Sequence, residues 1–203
     1  MKIYIDFDGT IFNNNKLYLN FINIFKKYNI NKEYINNIIN KTNNKNLDTL
    51  AIKIINDNNL DKSIINEINN LYSNNLIYQD VIPFLEKYSQ KYELILLTLG
   101  TNNYQLKKIN SSNISKYFKE IIITNKDKSN LNINYQNGIF IDNNPYELKK
   151  FYNSKAKYLI RIKRNTDKYS KINLDINNIP EFNDFNELLN RKYIEKIGEI
   201  KYE

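Results

Sequence analysis

The sequence predicts an α/β protein, in which a doubly wound, Rossmann-like parallel sheet carries an inserted all-helical domain. Two observations predict this fold. From residue 80 onward, short apolar strands alternate with helical segments, which is typical of a parallel sheet with helices on both faces. Residues 14–79, in contrast, show only helical periodicity and contain no strand candidate. We therefore expect an α/β core formed by residues 1–13 and 80–203 and an inserted helical domain over 14–79.

Each element follows from the spacing of its apolar residues. Residues 2–7 are short, mostly apolar and β-rich, which predicts a buried strand. Four stripes of apolar residues at helical spacing follow inside the insert, and runs of Asn separate them. The rest of the chain predicts, in order, a helix at 80–90, a strand at 93–98, a helix at 102–112, a strand at 120–124, a short helix at 127–134, a strand at 138–142, a helix at 145–153, a strand at 157–162 and a helix at 184–193. Residues 194–203 fit neither pattern.

The amino-acid composition excludes several kinds of catalytic site. The 203 residues include no His and no Cys. A Ser-His-Asp triad, a His-ligated zinc and a thiolate nucleophile are therefore excluded. Any chemistry must use carboxylates, Lys, Tyr, hydroxyl groups or a hard metal ion held by oxygen atoms.

The net charge of +8 has two interpretations. A positive field could gather anionic substrates or nucleic acid. Compositional drift explains the charge more simply, because 40 residues are Asn, only three are Arg, and no block of five or more basic residues occurs. We favour drift, and nucleic acid remains a partner that only the net charge suggests.

No segment approaches the roughly 18 apolar residues of a membrane span. The N-terminus carries Asp6 and Asp8 where a signal peptide needs an apolar stretch. We therefore expect a soluble, cytoplasmic protein with no membrane partner. The sequence does not indicate an oligomeric state.

Polar residues follow the predicted strands where each of them ends. The string Asp6-Phe7-Asp8-Gly9-Thr10 follows the first strand, and Thr98-Leu99-Gly100 ends the strand at 93–98. Asp142 ends the strand at 138–142, and Lys126 and Lys128 follow the strand at 120–124. Ligands of open parallel sheets bind outside the carboxyl ends of the strands. Carboxylates, a hydroxyl and an ammonium group at this edge could hold a hard divalent cation and a phosphoryl group.

With these motifs the sequence resembles the haloacid dehalogenase-like phosphohydrolase superfamily. The string DFDGT at 6–10, the apolar run with Thr at 94–98 and the string IFIDNNP at 139–145 carry the resemblance. It covers the whole predicted core, and the insert looks like the small helical cap of that family. The resemblance implies a magnesium-dependent phosphatase that acts on a small phosphorylated substrate. Phosphotransfer or mutase chemistry, a nucleic-acid-end phosphatase and a catalytically weak binding module remain alternatives.

The resemblance also implies roles for individual residues. Asp6 would be the nucleophile that forms an aspartyl-phosphate, and Asp8 would be the general acid and base. An acid at position 8 argues against dehalogenase chemistry. Thr98 would bind a phosphoryl oxygen. Lys128, in preference to Lys126, would neutralise charge at the nucleophile and the phosphoryl group.

The same resemblance implies a magnesium site and a phosphate-binding loop. Mg²⁺ would lie between Asp6, the backbone carbonyl of Asp8 and Asp142, and Asn143 would stand next to the ion. The phosphate group would contact Gly9, Thr10, Leu99 and Gly100.

One position departs from the family pattern. Position 143 is Asn where the family commonly has an acid beside Asp142, which predicts weak magnesium binding. Glu147 could supply the missing charge. We favour another role for Glu147, a capping box that closes back on the helix start at Asn144 and Pro145.

Three basic residues follow the last predicted strand of the sheet. Arg161, Lys163 and Arg164 could reach a second phosphate or an anionic substrate. We favour a solvated basic loop.

Overall fold

A computed structural model describes residues 1–42, 46–72, 76–176 and 178–200. It divides into two compact units, one formed by Met1–Asn13 and Ile77–Glu203 and the other by Asn14–Leu76. The second boundary lies three residues earlier than the one expected from the sequence. Ile77 forms a β-bridge with Phe12, and the Tyr78 N–H donates to the Ile11 carbonyl oxygen at 3.1 Å. Residues 77–79 therefore belong with the core.

The core unit contains a six-stranded sheet in which every strand pair is parallel. The strands are β1 (Lys2–Ile5), β2 (Glu93–Leu99), β3 (Glu120–Thr124), β4 (Gly138–Asp142), β5 (Tyr158–Ile162) and β6 (Glu181–Phe182). Their order is β3-β2-β1-β4-β5-β6. This confirms the doubly wound α/β class. β6 was not expected, because a two-residue strand has no periodicity to detect.

Helices lie between and after the strands of this unit. They are α5 (Val81–Ser89), α6 (Asn102–Ser111), α7 (Pro145–Asn153), α8 (Phe185–Asn190) and α9 (Tyr193–Ile200). On one face of the sheet Tyr4 stacks on Phe140, and Leu148 and Phe151 of α7 belong to the same cluster. Ile3, Ile5 and Leu96 alternate with these residues and are buried on the other face.

Two predicted helices differ in the structure. The helix expected at 127–134 is replaced by two 3₁₀ turns at 128–130 and 135–137. The helix expected at 184–193 is divided into α8 and α9 because Lys192 adopts a positive φ of 49°. α9 covers most of the segment for which the sequence predicted no element. Residues 201–203 lie outside the described residues.

The second unit consists of α1 (Asn14–Lys26), α2 (Lys32–Thr42), α3 (Leu47–Asp57) and α4 (Ile64–Leu71). Its interior is formed by the apolar stripes, including Phe21, Phe25 and Ile54, which are fully buried. Asn29 and Asn59 follow α1 and α3 with positive φ angles of 60° and 51°, a conformation that Asn adopts more readily than most residues. Among the described residues of the whole chain, no helix has the length and apolar character needed to cross a membrane.

Candidate active site

The carboxyl ends of four adjacent strands place the predicted site residues at one edge of the sheet. Asp6 follows β1, Asp142 ends β4, Thr98 lies near the end of β2, and Lys128 begins a 3₁₀ turn after β3. The strand order β3-β2-β1-β4 makes these ends neighbours. The Asp6 N–H donates to the Ile141 carbonyl oxygen at 2.9 Å, which joins the ends of β1 and β4.

Lys128 lies between two carboxylates. Its Nζ donates to Asp6 Oδ1 at 2.5 Å and to Asp142 Oδ2 at 2.9 Å, and its side chain is 3% exposed. The turn that carries Lys128 is fixed by Tyr135, whose hydroxyl donates to the Lys128 carbonyl oxygen at 2.8 Å. Lys126 is exposed and contacts Thr124 instead. The structure therefore brings Lys128, and not Lys126, to the carboxylates.

The charges in this cluster do not balance. Burial and the neighbouring charge of Asp142 raise the pKa of Asp6 to about 7, although Lys128 opposes the rise. Burial alone would lower the pKa of Lys128, but Asp142 and Asp6 raise it above its ordinary value. One ammonium group thus forms ion pairs with two buried carboxylates. The excess negative charge favours a further cation at this position.

Thr10 and Asn143 connect the first loop to the loop after β4. Thr10 Oγ1 donates to Asp6 Oδ2 at 2.9 Å and accepts from the Asn143 N–H at 3.0 Å. Gly9 has a φ of +88°, and a Cβ atom there would collide with Asn143 Nδ2. The loop therefore needs glycine both for its backbone conformation and for the close approach of Asn143.

Thr98 and Leu99, two of the residues predicted to bind the phosphate group, differ in burial and in hydrogen bonding. Thr98 is fully buried, and its Oγ1 has no hydrogen-bond partner among the described residues. A buried hydroxyl without a partner is costly unless a ligand supplies one. Leu99 is 44% exposed, and its backbone carbonyl oxygen accepts from Gln105 Nε2 at 2.8 Å.

The capping box predicted for Glu147 does not form. The Asn144 N–H donates to Asp142 Oδ1 at 2.8 Å and is therefore not available to Glu147. Glu147 Oε1 instead accepts from Lys150 at 2.9 Å, and its Oε2 is buried with no partner in the described part of the chain. Asn144 still caps α7, because its Oδ1 accepts from the Tyr146 N–H at 3.0 Å.

The interpretation of a solvated basic loop is wrong for both arginines. Arg161 is fully buried and donates to Glu181 at 2.6 Å and to the Tyr169 carbonyl oxygen at 2.7 Å. Arg164 is also buried; it donates to both oxygens of Asp80, at 2.8 and 2.7 Å, and to the Thr10 carbonyl oxygen at 2.9 Å. Both guanidinium groups therefore tie loops together.

Lys163 is the most accessible of the three basic residues. It lies 3.3 Å from Glu181 and its side chain is 29% exposed. All three residues thus have acidic partners within the core unit.

Sequence reasoning missed three further residues at this edge, namely Gln105, Lys108 and Asp167. Asp8 accepts from Gln105 Nε2 at 2.7 Å and from Lys108 Nζ at 2.5 Å. Asn143 Nδ2 donates to Asp167, a residue of the loop after β5. Burial raises the pKa of Asp167 above its ordinary value, and Asp142 contributes in the same direction. The available signal was weak: Gln105 and Lys108 share a helix face, and Asp167 follows a strand.

The donor set fits a magnesium ion. Among the described residues no group of three or more His, Cys, Asp or Glu side chains could hold a metal ion. Mg²⁺ needs less, because it is commonly bound through one or two carboxylates and keeps several waters. Asp6 and Asp142 would supply the carboxylates, with the Asp8 carbonyl and Asn143 as further oxygen donors. Their excess negative charge suits a divalent cation.

Solved structures with the same fold differ in activity. A haloacid dehalogenase-like family hydrolase from Xanthomonas campestris is 14% identical, with coverage of 98% of both chains and a TM-score of 0.65. A HAD phosphatase from Thermococcus onnurineus is 20% identical, with coverage of 96% of this chain and 98% of that one and a TM-score of 0.62. An L-2-haloacid dehalogenase from Xanthobacter autotrophicus is 12% identical, with coverage of 83% and 79% and a TM-score of 0.55.

At these identities the structures show the shared fold alone. No curated protein sequence matches the chain significantly. The family model described as haloacid dehalogenase-like hydrolase matches residues 3–131, which include β1 to β3 and the helical unit. The chain is therefore a member of the haloacid dehalogenase-like hydrolases.

Proposed function

We propose that the protein is a magnesium-dependent phosphatase that hydrolyses a small phosphate monoester through an aspartyl-phosphate. The observation that carries this proposal is the buried set of Asp6, Lys128 and Asp142 beside the Thr98 hydroxyl, which has no hydrogen-bond partner within the described ranges. A phosphoryl group needs cations and hydrogen-bond donors around its oxygens. Solved structures of the same fold include both a phosphatase and a dehalogenase.

In the first step a carboxylate oxygen of Asp6 attacks phosphorus, and the bond from phosphorus to the leaving oxygen breaks. Asp8 gives a proton to that oxygen, which then leaves as an alcohol. Lys128 and Thr98 stabilise the negative charge on the phosphoryl oxygens. Asp6, Asp142 and the Asp8 carbonyl, together with Asn143, would hold Mg²⁺, and the ion when bound would supply further charge neutralisation.

In the second step water attacks the phosphorus of the aspartyl-phosphate. Asp8 accepts a proton from the water, and the bond between phosphorus and Asp6 breaks. Inorganic phosphate leaves and the Asp6 carboxylate is restored. The loop formed by Gly9, Thr10, Leu99 and Gly100 is proposed to contact the phosphate group.

The test is a panel of phosphate monoesters with and without magnesium, in which released phosphate is measured. Magnesium-dependent turnover that is lost in Asp6→Asn supports the proposal. Release of chloride from a 2-haloacid, without release of phosphate from any monoester, would assign dehalogenase chemistry instead. Phosphate transferred to an added alcohol rather than to water would indicate a phosphotransferase.

Nucleic-acid-end phosphates are a second substrate class that only the net charge of +8 suggests. Affinity for such a substrate should fall steeply with salt, because phosphate contacts release counterions. A flat salt profile argues against this class and favours a small soluble monoester.

The helical unit is proposed to act as the cap that the family resemblance implies. It is inserted directly after the segment that carries Asp6 and Asp8. The chain has no native Cys, so a pair of cysteines placed near residues 14 and 79 can be cross-linked selectively. The cross-link should lower turnover on small substrates. Unchanged turnover would leave the helical unit without a catalytic role.

A further inference from the structure

A second buried lysine forms an ion pair with the same loop: Lys108 pairs with Asp8, two residues after Asp6, the partner of Lys128. Helix α6 presents Gln105 and Lys108 on one face, because residues three apart are neighbours on a helix. Gln105 Nε2 donates to Asp8 Oδ2 at 2.7 Å, and Lys108 Nζ donates to Asp8 Oδ1 at 2.5 Å. Each carboxylate oxygen of Asp8 thus has its own donor, and together the two donors define the plane and direction of the carboxylate.

Lys108 is an unusual residue for its position. Its side chain is 2% exposed, and its ammonium group lies over the rings of Phe7, Phe12 and Tyr104 at 5.5, 5.4 and 4.8 Å from their centroids. In the described part of the chain its ion-pair partner is Asp8. Burying an ion pair seldom stabilises a protein more than apolar residues of similar volume would. Stability therefore gives little reason for a lysine here.

Gln105 is itself held in place by the end of β2. Its Nε2 also donates to the Leu99 carbonyl oxygen at 2.8 Å. A Cβ atom at position 100 would lie 2.6 Å from Nε2, so Gly100 leaves the space that Gln105 occupies. The backbone beside Thr98 thus fixes Gln105, and Gln105 fixes Asp8.

We propose that Gln105 and Lys108 are positioning residues that hold the Asp8 carboxylate where it exchanges a proton with the leaving oxygen. This inference rests on the proposed phosphatase function, in which Asp8 is the general acid. Proton transfer needs hydrogen-bond reach, and a displacement of about 1 Å can cost on the order of 10²-fold in rate. Loss of either donor should therefore impair proton transfer more than it impairs substrate binding.

Two aryl phosphates of similar shape separate proton transfer from the other parts of catalysis. p-Nitrophenolate is a good leaving group that needs little protonation. Phenol, with a pKa of about 10 like that of Tyr, leaves poorly unless it receives a proton. The ratio of kcat/KM for p-nitrophenyl phosphate to kcat/KM for phenyl phosphate therefore measures how well Asp8 donates.

The experiment determines this ratio for wild type and for Lys108→Met and Gln105→Leu, with saturating magnesium. We expect the ratio to rise about tenfold in both variants, because phenyl phosphate loses more. Asp8→Asn sets the upper limit, and adding Lys108→Met to it should change the ratio no further. The controls Lys149→Met and Gln136→Leu, at exposed positions, should leave the ratio unchanged.

Equal losses on both substrates in Lys108→Met and Gln105→Leu would overturn the inference and leave the two residues a structural role. Gln105→Leu removes no charge, so it tests the inference even where Lys108→Met fails to fold. Wild type that hydrolyses neither aryl phosphate, nor any other monoester, would overturn the phosphatase proposal and this inference with it. Normal wild-type turnover with an unchanged ratio in the variants overturns this inference alone.

Discussion

The two units of the chain differ in what they bury. The helical unit, over its described residues 14–42, 46–72 and 76, buries apolar and aromatic side chains and no charged or amide side chain. Over its described residues 1–13, 77–176 and 178–199, the core unit buries thirteen polar or charged residues. They are Asp6, Thr10, Asp80, Thr98, Gln105, Lys108, Thr124, Lys128, Asp142, Asn143, Glu147, Arg161 and Arg164.

The helical unit therefore buries side chains that pack, whereas the core unit buries side chains that could do chemistry. Buried charges seldom stabilise a fold more than apolar residues of similar volume would, even when they are paired, so a fold that keeps so many of them needs a reason beyond stability. Most lie at the carboxyl edge of the sheet. In the helical unit, ion pairs such as Lys27 with Glu67 lie on the surface. Substitutions in the two units should therefore have different consequences.

The largest expected effect is the loss of the proposed nucleophile. Asp6→Asn should abolish phosphate release while the protein remains folded, because an amide cannot attack phosphorus. Phosphate release and circular dichroism measure the two properties. Residual turnover within about tenfold of wild type, a difference of only about 1.4 kcal/mol in activation free energy, would contradict the aspartyl-phosphate mechanism.

Lys128→Met tests the buried charges directly. Removal of one partner of a buried ion pair typically costs about 3–5 kcal/mol, and here it leaves Asp6 and Asp142 without their ammonium group. The free energy of unfolding in urea, without magnesium, should fall by about that amount. Lys126→Met, at an exposed lysine two residues away, should change it by less than about 0.5 kcal/mol. Equal effects of the two substitutions would contradict the geometry.

Ile54→Ala tests the apolar interior of the helical unit. Ile54 is fully buried, and removing its side chain should cost about 2–5 kcal/mol of unfolding free energy. Magnesium affinity, measured by calorimetry, should stay within about twofold of wild type because no proposed metal ligand lies in this unit. Magnesium binding weakened by about tenfold would show that the helical unit influences the proposed magnesium site although it holds no proposed metal ligand.

Exchange of the residues at 143 and 167 tests the proposed magnesium site. From the sequence alone, Asn143→Asp should tighten magnesium several-fold. Asn143 Nδ2 donates to the Asp167 carboxylate, so this substitution alone brings two carboxylates together and should lower the stability of the metal-free protein. The double substitution Asn143→Asp with Asp167→Asn removes that repulsion, and it should bind magnesium up to about tenfold more tightly, or about 1.4 kcal/mol.

Calorimetric titration of magnesium and thermal unfolding measure both effects of the exchange. Glu147→Gln is the control, because Glu147 is paired with Lys150. If Glu147→Gln weakens magnesium tenfold and the exchange has no effect, then Glu147 is the acid that supports the metal.

The smallest expected effect is a pH dependence of stability. The pKa of Asp6 is raised from 3.8 to about 7, so the folded state binds this proton more tightly than the unfolded state does. The corresponding stabilisation is fully present below about pH 4 and is lost as the pH rises to about 7. Magnesium competes with the proton, so its addition should raise Tm more at pH 8 than at pH 5. In Asp6→Asn this difference should shrink, and an unchanged difference would assign it to another group.

Much of the fold and the centre of the site could be predicted from the sequence. The apolar spacing of two or of three to four residues is a local property, and it located β1 to β5, α5 to α7 and the four helices of the insert. Asp6, Asp142, Thr98 and Lys128 could be placed together because parallel strands end at a common edge. The division between α8 and α9 escaped detection because it depends on one residue, Lys192, with positive φ.

The partners of the buried polar residues were decided only by the tertiary structure. Asp8 is 100 residues from Lys108, Asp80 is 84 residues from Arg164, and Asn143 is 24 residues from Asp167. Each pairing depends on strand order and on the position of a loop, and neither leaves a periodic signal in the sequence. In the sequence Lys108 and Arg164 cannot be distinguished from the other basic residues of the chain, and only the folded structure buries them. By itself the sequence determined β1 to β5, α5 to α7 and the four helices of the insert, because apolar spacing depends on neighbouring residues, and it showed which groups could do chemistry. The tertiary structure decided which charges meet, because low exposure and distant partners arise only when the sheet is assembled.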